Sequence, residues 1–392
     1  MPLRPHQIDA LDAMLKHDKG QIIVPTGGGK TMCMIDDAKR LFNLNSVPKT
    51  IVVVAPRILL AEQLSSEFLE EIDDVDVMHV HSGETSHYST TKTEDIEEWY
   101  HNTTKNILIF TTYHSLHRIS NSLEIEVDAI YFDEAHNSVN KNFFPSVRFY
   151  GTVGSNRCFF FTATPKHSRT NKRSAMNDTN VYGDVICKVP APKLVDEGYI
   201  LPPKLEVFKS KILSKDEITP IVESKEIING IDRLNVDKVL ICAKSTKQIT
   251  GLLYGSKFLD ELAWRGYSWM TITSKTGAII DGDKVDREEF FNVINAWGKD
   301  DDRKFVVLHH SILSEGINVK GLEAALVMRN SDYITISQTI GRVIRIANSD
   351  KTHGKVCIPV YSKVGISTAK KVENVVDIVF NQGEPAISYI TR

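Results

Sequence analysis

The chain has 392 residues, a length that exceeds one typical globular domain and allows two domains that each bury a core. Its composition, 42% apolar and 25% charged residues, is that of a soluble protein, and no apolar run approaches the roughly 18 residues that a membrane span needs. The net charge of −3 argues against a bulk electrostatic coat for nucleic acid, although a local basic groove remains compatible with it.

The N-terminal segment, MPLRPHQIDA, lacks the apolar core of a secretory signal, so we expect a cytoplasmic protein, in the host cytoplasm for a phage origin. The five cysteines stand singly, without C-x-x-C spacing. They are expected to be small buried residues in a reducing compartment, and neither a zinc site nor a disulfide framework is predicted.

Short apolar runs recur through the first half of the chain and predict strands. They are QIIV (21–24), TIVVVAP (50–56), NILIFTT (106–112), DAIYF (128–132) and RCFFFTA (157–163). Segments with helical spacing lie between most of them. Continuous apolar strands that alternate with helices are typical of a parallel sheet covered on both faces. Residues 1–190 are therefore predicted to form an α/β domain.

The same pattern returns in the second half of the chain. The apolar runs are KLEVF (204–208), KVLICA (238–243), WMTIT (269–273), KFVVLHH (304–310), AALVMR (324–329) and KVCIPV (355–360). Prolines interrupt the pattern between the two halves. We therefore predict a linker at 191–203 and a second α/β domain at 204–392.

The first run leads into a glycine-rich turn, QIIVPTGGGKT, that resembles a phosphate-binding loop. The strict pattern G-x-x-x-x-G-K-[ST] requires glycine where this chain has Val24. In such a loop backbone N–H groups and a helix N-terminus bind phosphate, Lys30 adds a charge and Thr31 supplies a hydroxyl for Mg²⁺. The turn alone is equally compatible with a structural role.

An acidic pair follows the strand DAIYF. Asp133 and Glu134 come at the carboxyl end of this strand, where parallel sheets gather ligands. One carboxylate can hold Mg²⁺ and the other can orient and deprotonate a water molecule. A bare Asp-Glu pair is usually a solvated loop, but about a hundred residues after Lys30 it favours a nucleotide hydrolase.

The order of four motifs supplies a resemblance. PTGGGKT, DEAH, TATP (162–165) and QTIGRVIR (338–345) occur in the order found in superfamily 2 helicases with two tandem RecA-like domains. The chain resembles the DEAH-box group of type III restriction translocases, XPB-like proteins and branch-migrating phage helicases. That family tolerates another residue at the position of Val24. The resemblance implies ATP and Mg²⁺ as cofactors and favours DNA over RNA.

The resemblance also assigns residues to the ATP site, which in this family lies between the two domains. It implies contacts with the nucleotide from Arg4, Gln7, Thr26, Gly27, Gly28, Gly29, Lys30, Thr31 and Gly316. It implies catalytic roles for Lys30, Asp133, Glu134, His136, Gln338, Arg342 and Arg345, with Mg²⁺ held by Thr31 and Asp133. For Arg4 and Gln7 there is an alternative. The residues alone favour the ordinary start of a helix at this position.

A third set of residues is assigned to nucleic acid and to coupling. The resemblance implies backbone contacts from Arg57, Thr111, Thr112, Lys244, Ser245 and Ser311. It implies that Thr162 and Thr164 relay the nucleotide state toward the nucleic acid. Arg57 is equally compatible with a surface charge, and Asn318, where the family has Asp, has no assigned role.

Three classes of function compete. The first is an ATP-driven translocase or helicase, on DNA in repair or recombination, or on RNA. The second is the motor of a restriction or defence complex whose partners supply the nuclease. The third is a nucleotide-gated binding module without catalysis, for which the loss of Lys30, Glu134 or an arginine would be expected. We expect a monomeric motor that does not bind a membrane. The sequence leaves open whether it has partner proteins.

Three histidines invite a metal hypothesis. His79, His81 and His87 lie close together in the sequence but have no cysteine or acidic partner at ligand spacing. We therefore expect a polar loop after a strand here.

Overall fold

The computed structural model describes residues 2–44, 47–122, 124–170, 173–273, 276–310, 319, 321–346 and 351–390. The chain divides into two compact units. The first comprises Met1–Pro190 and Ile387–Arg392, and the second comprises Ala191–Ala386. In the described ranges no helix combines the length and the apolar character that crossing a membrane requires.

The first unit is an α/β unit. Its helices are α1 (Pro5–Lys16), α2 (Lys30–Asn43), α3 (Ile58–Leu69), α4 (Thr93–His101), α5 (Leu116–Ser120), α6 (Phe144–Thr152) and α7 (Thr179–Tyr182). Its strands include β1 (Lys19–Ile23), β2 (Thr50–Ala55), β3 (Val75–Val80), β4 (Tyr88–Ser89), β5 (Asn106–Thr112), β6 (Ala129–Phe132), β7 (Arg157–Thr162), β8 (Lys166–His167) and β9 (Val185–Lys188).

Eight of these strands form one sheet in the order β4-β3-β5-β2-β6-β7-β1-β9. Every neighbouring pair is parallel. Every residue of β2 and β6 is buried, as expected for central strands covered on both faces. Because β6, β7 and β1 are neighbours, their carboxyl ends bring DEAH, TATP and the glycine-rich turn to one edge of the sheet.

A buried ion pair joins helix α2 to this sheet. Arg157 on β7 donates two hydrogen bonds to the carboxylate of Asp37 on α2, at 2.8 and 3.0 Å. The Tyr131 hydroxyl on β6 donates to the same carboxylate at 2.7 Å. Asp37 is fully buried, so its charge needs these partners. The network fixes the helix that follows the glycine-rich turn relative to the strand that precedes DEAH.

The second unit is also α/β. Its helices are α8 (Ala191–Asp196), α9 (Pro220–Leu234), α10 (Thr246–Tyr254), α11 (Phe258–Trp264), α12 (Arg287–Lys299), α13 (Tyr333–Val343) and α14 (Lys363–Val376). Its strands are β10 (Pro203–Lys209), β11 (Lys238–Cys242), β12 (Ser268–Thr273), β13 (Gly277–Ile280), β14 (Asp283–Val285), β15 (Phe305–His309), β16 (Ala324–Val327) and β17 (Gly354–Val360).

The second sheet has the order β10-β17-β16-β11-β15-β12-β13-β14. Its first six strands pair in parallel, whereas β12, β13 and β14 pair antiparallel. Between β13 and β14 the chain turns at Asp281 and Gly282, both with positive φ, which is the backbone that a two-residue hairpin needs. Both units are thus mainly parallel sheets flanked by helices, as predicted, with one antiparallel edge in the second.

The eleven apolar runs named above all form strands, and the structural limits differ from the sequence runs by no more than two residues at either end. The unit boundaries differ from the predicted ones. The range predicted as a linker, 191–203, contains α8 and belongs to the second unit, with Leu194 fully buried. Pro192 lies in the first turn of α8, where a missing N–H costs nothing, so proline does not exclude a helix here. The short strand β18 (Ser388–Tyr389) pairs with β8 of the first unit.

Candidate nucleotide site

The glycine-rich turn links the end of β1 to the start of α2. Its left-handed positions are Gly27 and Gly29, with φ of +87° and +82°. Gly29 caps the N-terminus of α2, so Lys30 is the first helical residue. Glycine reaches this backbone region without steric cost, which explains its use at both positions. The turn therefore directs a helix N-terminus, the preferred backbone site for phosphate, away from the sheet.

Val24 occupies the position where the strict pattern has glycine. Its side chain is 1% exposed, and its N–H donates to the carbonyl of Thr162 at 3.0 Å. The loop thus continues the pairing of β1 with β7 by one residue. Valine at this position contributes to the core and does not distort the turn.

Helix α1 holds the turn from the N-terminal side. His6 Nε2 donates to the carbonyl of Gly28 at 2.7 Å, and Gln7 Nε2 donates to the carbonyl of Gly29 at 3.0 Å. Gln7 Oε1 also accepts from the backbone N–H of Arg4 at 2.8 Å. The amide of Gln7, predicted to contact the nucleotide, is thus anchored on the loop as well. His6 was missed by the sequence reasoning, although its neighbour Gln7 had been singled out.

The acidic turn (residues 133–137) follows β6. Asp133 and Glu134 are 7% and 6% exposed, so this pair is not a solvated loop. Lys30 Nζ lies 3.9 Å from Glu134 Oε1. Burial and the neighbouring Glu134 charge raise the pKa of Asp133 to about 7, and Lys30 opposes the shift. A second cation beside Asp133 would lower its pKa and favour its ionised carboxylate.

The backbone of the acidic turn is unusual at Glu134, whose φ is +46°. Few residues other than glycine adopt this left-handed region. The carbonyl of Glu134 accepts two hydrogen bonds at 3.0 Å, from the backbone N–H and from the side-chain amide of Asn137. A short 3-10 turn, Ala135–Asn137, follows directly.

His136 joins the acidic turn to β7. Its Nδ1 lies 3.1 Å from the Thr162 hydroxyl and 3.4 Å from the Thr164 hydroxyl. The same nitrogen lies 3.5 Å from Glu134 Oε2. Both threonines are fully buried. The structure thus brings His136, for which a catalytic role was predicted, next to the two residues assigned to coupling, Thr162 and Thr164.

The residues present fit a nucleotide with Mg²⁺. Thr26 Oγ1 is buried and has no hydrogen-bond partner among the described residues. Lys30 offers a charge that a phosphate would share with Glu134. The oxygens of Thr31 and Asp133 are ligands that Mg²⁺ prefers, and in such sites phosphate and water complete the coordination. The described residues contain no cluster of three His, Cys, Asp or Glu side chains able to hold a metal by themselves.

The predicted nucleic acid contacts of the first unit differ in accessibility. Arg57 is exposed at the start of α3. Thr111 is fully buried and donates its hydroxyl to the carbonyl of Val80 at 2.8 Å. The Thr112 hydroxyl donates to Ser115 Oγ at 3.3 Å. The two threonine side chains therefore stabilise the end of β5, and a contact with a nucleic acid backbone there would fall to Arg57 or to main-chain groups.

The predicted arginines of the second unit lie at the end of α13. Arg342 is 4% exposed on this helix, and Arg345 follows it. Gln338 is also buried, and its Nε2 has no partner among the described residues. The ammonium of Lys351 donates to the carbonyl of Arg345 at 3.2 Å, which satisfies a carbonyl beyond the helix end.

The other predicted contacts of the second unit have structural partners. Lys244 pairs with the buried carboxylate of Glu223. Ser245 caps helix α10, because its hydroxyl accepts from the backbone N–H of Gln248 at 3.1 Å. These bonds position both residues after β11, and one of the two lone pairs of the Ser245 hydroxyl is occupied. Three residues discussed above lie outside the described residues: Ser311, Gly316 and Asn318.

Comparisons with known proteins give one partial family match and two similar folds. Residues 1–167 match the family model for the type III restriction enzyme res subunit. The fold of the whole chain is similar to that of the ATP-dependent type ISP restriction-modification enzyme LlaBIII bound to DNA, with a TM-score of 0.78 and 17% identity. The family match covers less than half of the chain, and the similarity to solved structures at this low identity shows the fold alone. No curated protein sequence matches the chain.

The chain is shorter than the solved structures it resembles. It aligns over 100% of its length with 31% of LlaBIII. It aligns over 99% with 30% of a nuclease-deletion mutant of the type ISP enzyme LlaGI in complex with a DNA substrate mimic, at a TM-score of 0.69 and 20% identity. The matches give no support to the DEAH-box subgroup or to DNA repair and recombination.

The prediction of a polar loop at the three histidines was wrong for His79 and His81. His79 lies within β3, and both His79 and His81 are buried. Gly83 N–H donates to His81 Nδ1 at 3.2 Å, which leaves His81 Nε2 to donate to His79 Nδ1 at 2.9 Å. His79 Nε2 then donates to Ser65 Oγ at 3.1 Å. Burial, with the neighbouring His81 and His87, lowers the pKa of His79 to about 3, so neutral imidazoles form a core network here.

Proposed function

We propose that the chain is an ATP-hydrolysing motor that moves along DNA and serves a restriction-type enzyme. The observation that carries the proposal is the group at one sheet edge of the first unit. Lys30 lies 3.9 Å from Glu134, and His136 contacts Thr162 and Thr164 beside them. A lysine at a helix N-terminus beside a buried acidic pair is suited to binding and hydrolysing a nucleoside triphosphate.

In the proposed mechanism each residue has a stated task. The backbone of the glycine-rich turn and Lys30 bind the phosphates. Thr31 and Asp133 would hold Mg²⁺, which would supply positive charge beside the phosphates. Glu134 orients the attacking water and accepts its proton. The proposal assigns Arg342 and Arg345 of the second unit to the charge of the transferring phosphoryl group, for which guanidinium is suited.

The transmission of the nucleotide state is assigned to the His136 group. A carboxylate that gains or loses a proton or a metal partner changes the charge that faces His136 Nδ1, 3.5 Å away. The hydrogen bonds from His136 to Thr162 and Thr164 would respond at β7. This link supports a motor over a simple nucleotide-binding module.

The family match supports a restriction-type partner. Residues 1–167 match the res-subunit model, and the two solved relatives are named as restriction-modification enzymes, one of them bound to DNA. Strand separation is not required for such a role, because a motor that grips the backbone can move along intact duplex. DNA is therefore the proposed track, and the nuclease and the site recognition would come from other domains or subunits.

The proposal is tested by ATP hydrolysis in the presence of Mg²⁺ with duplex DNA, single-stranded DNA or RNA at several salt concentrations. We expect stimulation by duplex DNA that weakens steeply with salt, because backbone contacts release counterions. Displacement of a triplex-forming strand from the same duplex measures movement without strand separation. Lys30→Ala is the control that should abolish both signals.

Other outcomes would select another function. Stimulation by RNA alone would favour an RNA helicase. Binding of ATP and DNA without turnover would favour a nucleotide-gated binding module. Hydrolysis with unwinding of a fork but no triplex displacement would favour a DNA helicase over a duplex translocase.

A further inference from the structure

Tyr113 connects the end of β5 to the acidic turn. Its hydroxyl donates to the backbone carbonyl of Asp133 at 2.8 Å, across 20 residues of sequence. The ring is 2% exposed and stacks on Phe132 and Phe143, with centroids 5.9 Å away in each case. Burial, and after it the charge of Asp133, raises the pKa of Tyr113 well above its ordinary value.

This hydrogen bond acts on the peptide that precedes the left-handed residue. The Asp133 carbonyl belongs to the peptide group that enters Glu134, whose φ is +46°. On the other side, Asn137 binds the carbonyl of Glu134. A strained residue persists only where its surroundings define both flanking peptides. Tyr113 and Asn137 meet that need from opposite sides, and together they set where the Glu134 carboxylate points.

The backbone of Tyr113 is tied to a second strand. Its N–H donates to the carbonyl of Ala55, the last residue of β2, at 3.1 Å. Ala55 is followed two residues later by the exposed Arg57. Directly before Tyr113 lie Thr111 and Thr112, which end β5. Tyr113 thus links the two strand ends assigned to nucleic acid, through its backbone, with the turn assigned to hydrolysis, through its side chain.

We propose that Tyr113 is a positioning residue that transmits the position of the β2 and β5 strand ends to the acidic turn through its hydroxyl. A nucleic acid that shifts these ends moves the Asp133 carbonyl, and with it the carboxylate of Glu134. The direction of this effect, from bound nucleic acid to the acidic turn, rests on the proposed function. The geometric part, that the hydroxyl stabilises the acidic turn, stands without it.

The test is Tyr113→Phe, which removes the hydroxyl and keeps the stacked ring. The matched control is Tyr267→Phe in the second unit, where a tyrosine hydroxyl also donates to a backbone carbonyl, that of Val236. We expect Tyr113→Phe to lower the DNA-stimulated kcat about three- to tenfold, the value of one hydrogen bond, with KM for ATP unchanged. The ratio of stimulated to basal rate should fall, and the control should change neither quantity.

A second readout does not depend on activity. Hydrogen exchange followed by mass spectrometry should show faster exchange in the peptide that covers residues 133–138 in Tyr113→Phe only. Unchanged exchange there together with unchanged kcat would overturn the proposal. A fall in kcat with a parallel rise in KM would also overturn it, because that combination indicates general damage to the site. If the wild-type protein hydrolyses no ATP, the proposed function fails, while the exchange result still decides the role of the hydroxyl.

Discussion

The glycine-rich turn and the acidic turn lie at the carboxyl ends of β1 and β6 and reach left-handed backbone by different means. The first uses Gly27 and Gly29, with φ of +87° and +82°. The second uses Glu134, with φ of +46°. Glycine enters this region without a steric penalty, whereas a residue with a Cβ loses roughly 1–2 kcal/mol. The acidic turn therefore needs stabilisation from outside itself.

The difference shows where each geometry is encoded. The conformation of the glycine-rich turn is largely local, although Gln7 packs so closely that a Cβ on Gly29 would lie 2.5 Å from its Nε2. The acidic turn depends on Tyr113 and Asn137, one of which is 20 residues from the carbonyl it binds. A carboxylate is required at the position that strains the backbone, so glycine cannot replace it.

Glu134→Gln should break the chemistry of the acidic turn and keep its shape. Glutamine retains the Cβ and the size of the side chain but cannot accept a proton from water. We expect kcat for ATP to fall about 10²–10⁴-fold, with KM within about twofold of the wild-type value. Steady-state ATPase assays measure both quantities.

The control for this variant is Glu71→Gln. Glu71 pairs with Lys39 at 2.6 Å on the outside of the same unit. The Glu71→Gln variant should leave kcat for ATP unchanged. Turnover by Glu134→Gln within about threefold of wild type would remove this residue as the base.

Gly29→Ala should break the glycine-rich turn in two ways at once. It places a side chain at φ of +82° and directs the new Cβ at Gln7. We expect KM for ATP to rise about tenfold or more, because strain of roughly 1–3 kcal/mol is relieved by moving the phosphate-binding backbone. ATP affinity is measured by titration with a fluorescent nucleotide.

The control is Gly266→Ala, which introduces backbone strain without a steric clash. Gly266 has φ of +77°, and a Cβ there would meet nothing within 4 Å. This variant should lose a small amount of stability and bind ATP normally. Equal ATP affinity in Gly29→Ala and wild type would show that the turn can adopt a different backbone without loss.

Much of the fold follows from the apolar runs alone. The strands at 50–55, 106–112 and 129–132 are continuous and buried, and the corresponding runs predicted them within one residue. The glycine-rich turn and DEAH were recognisable because their chemistry requires fixed residue types next to strand ends. Strand adjacency then brought Lys30 and Glu134 together.

Other features depend on distant partners and were not predictable from a local pattern. His79 and His81 look polar in the sequence, but a chain of hydrogen bonds that ends at Ser65 makes their burial favourable. The β13–β14 hairpin was missed, although its Asp281-Gly282 pair is a known turn signal. The strain at Glu134 was invisible because no sequence rule reports φ.

Asn137→Ala should weaken the acidic turn by the smallest amount. The side-chain amide of Asn137 binds the Glu134 carbonyl at 3.0 Å, but the backbone N–H of the same residue still binds that carbonyl after the substitution. We therefore expect kcat to fall only about two- to threefold, with KM unchanged. Asn102→Ala, which removes a similar bond to the Glu98 carbonyl at the end of α4, should have no effect. A fall in kcat as large as that of Glu134→Gln would mean that the Asn137 amide has a direct role in hydrolysis. The contrast between the glycine-rich turn, whose geometry is local, and the acidic turn, which distant residues stabilise, would then need revision.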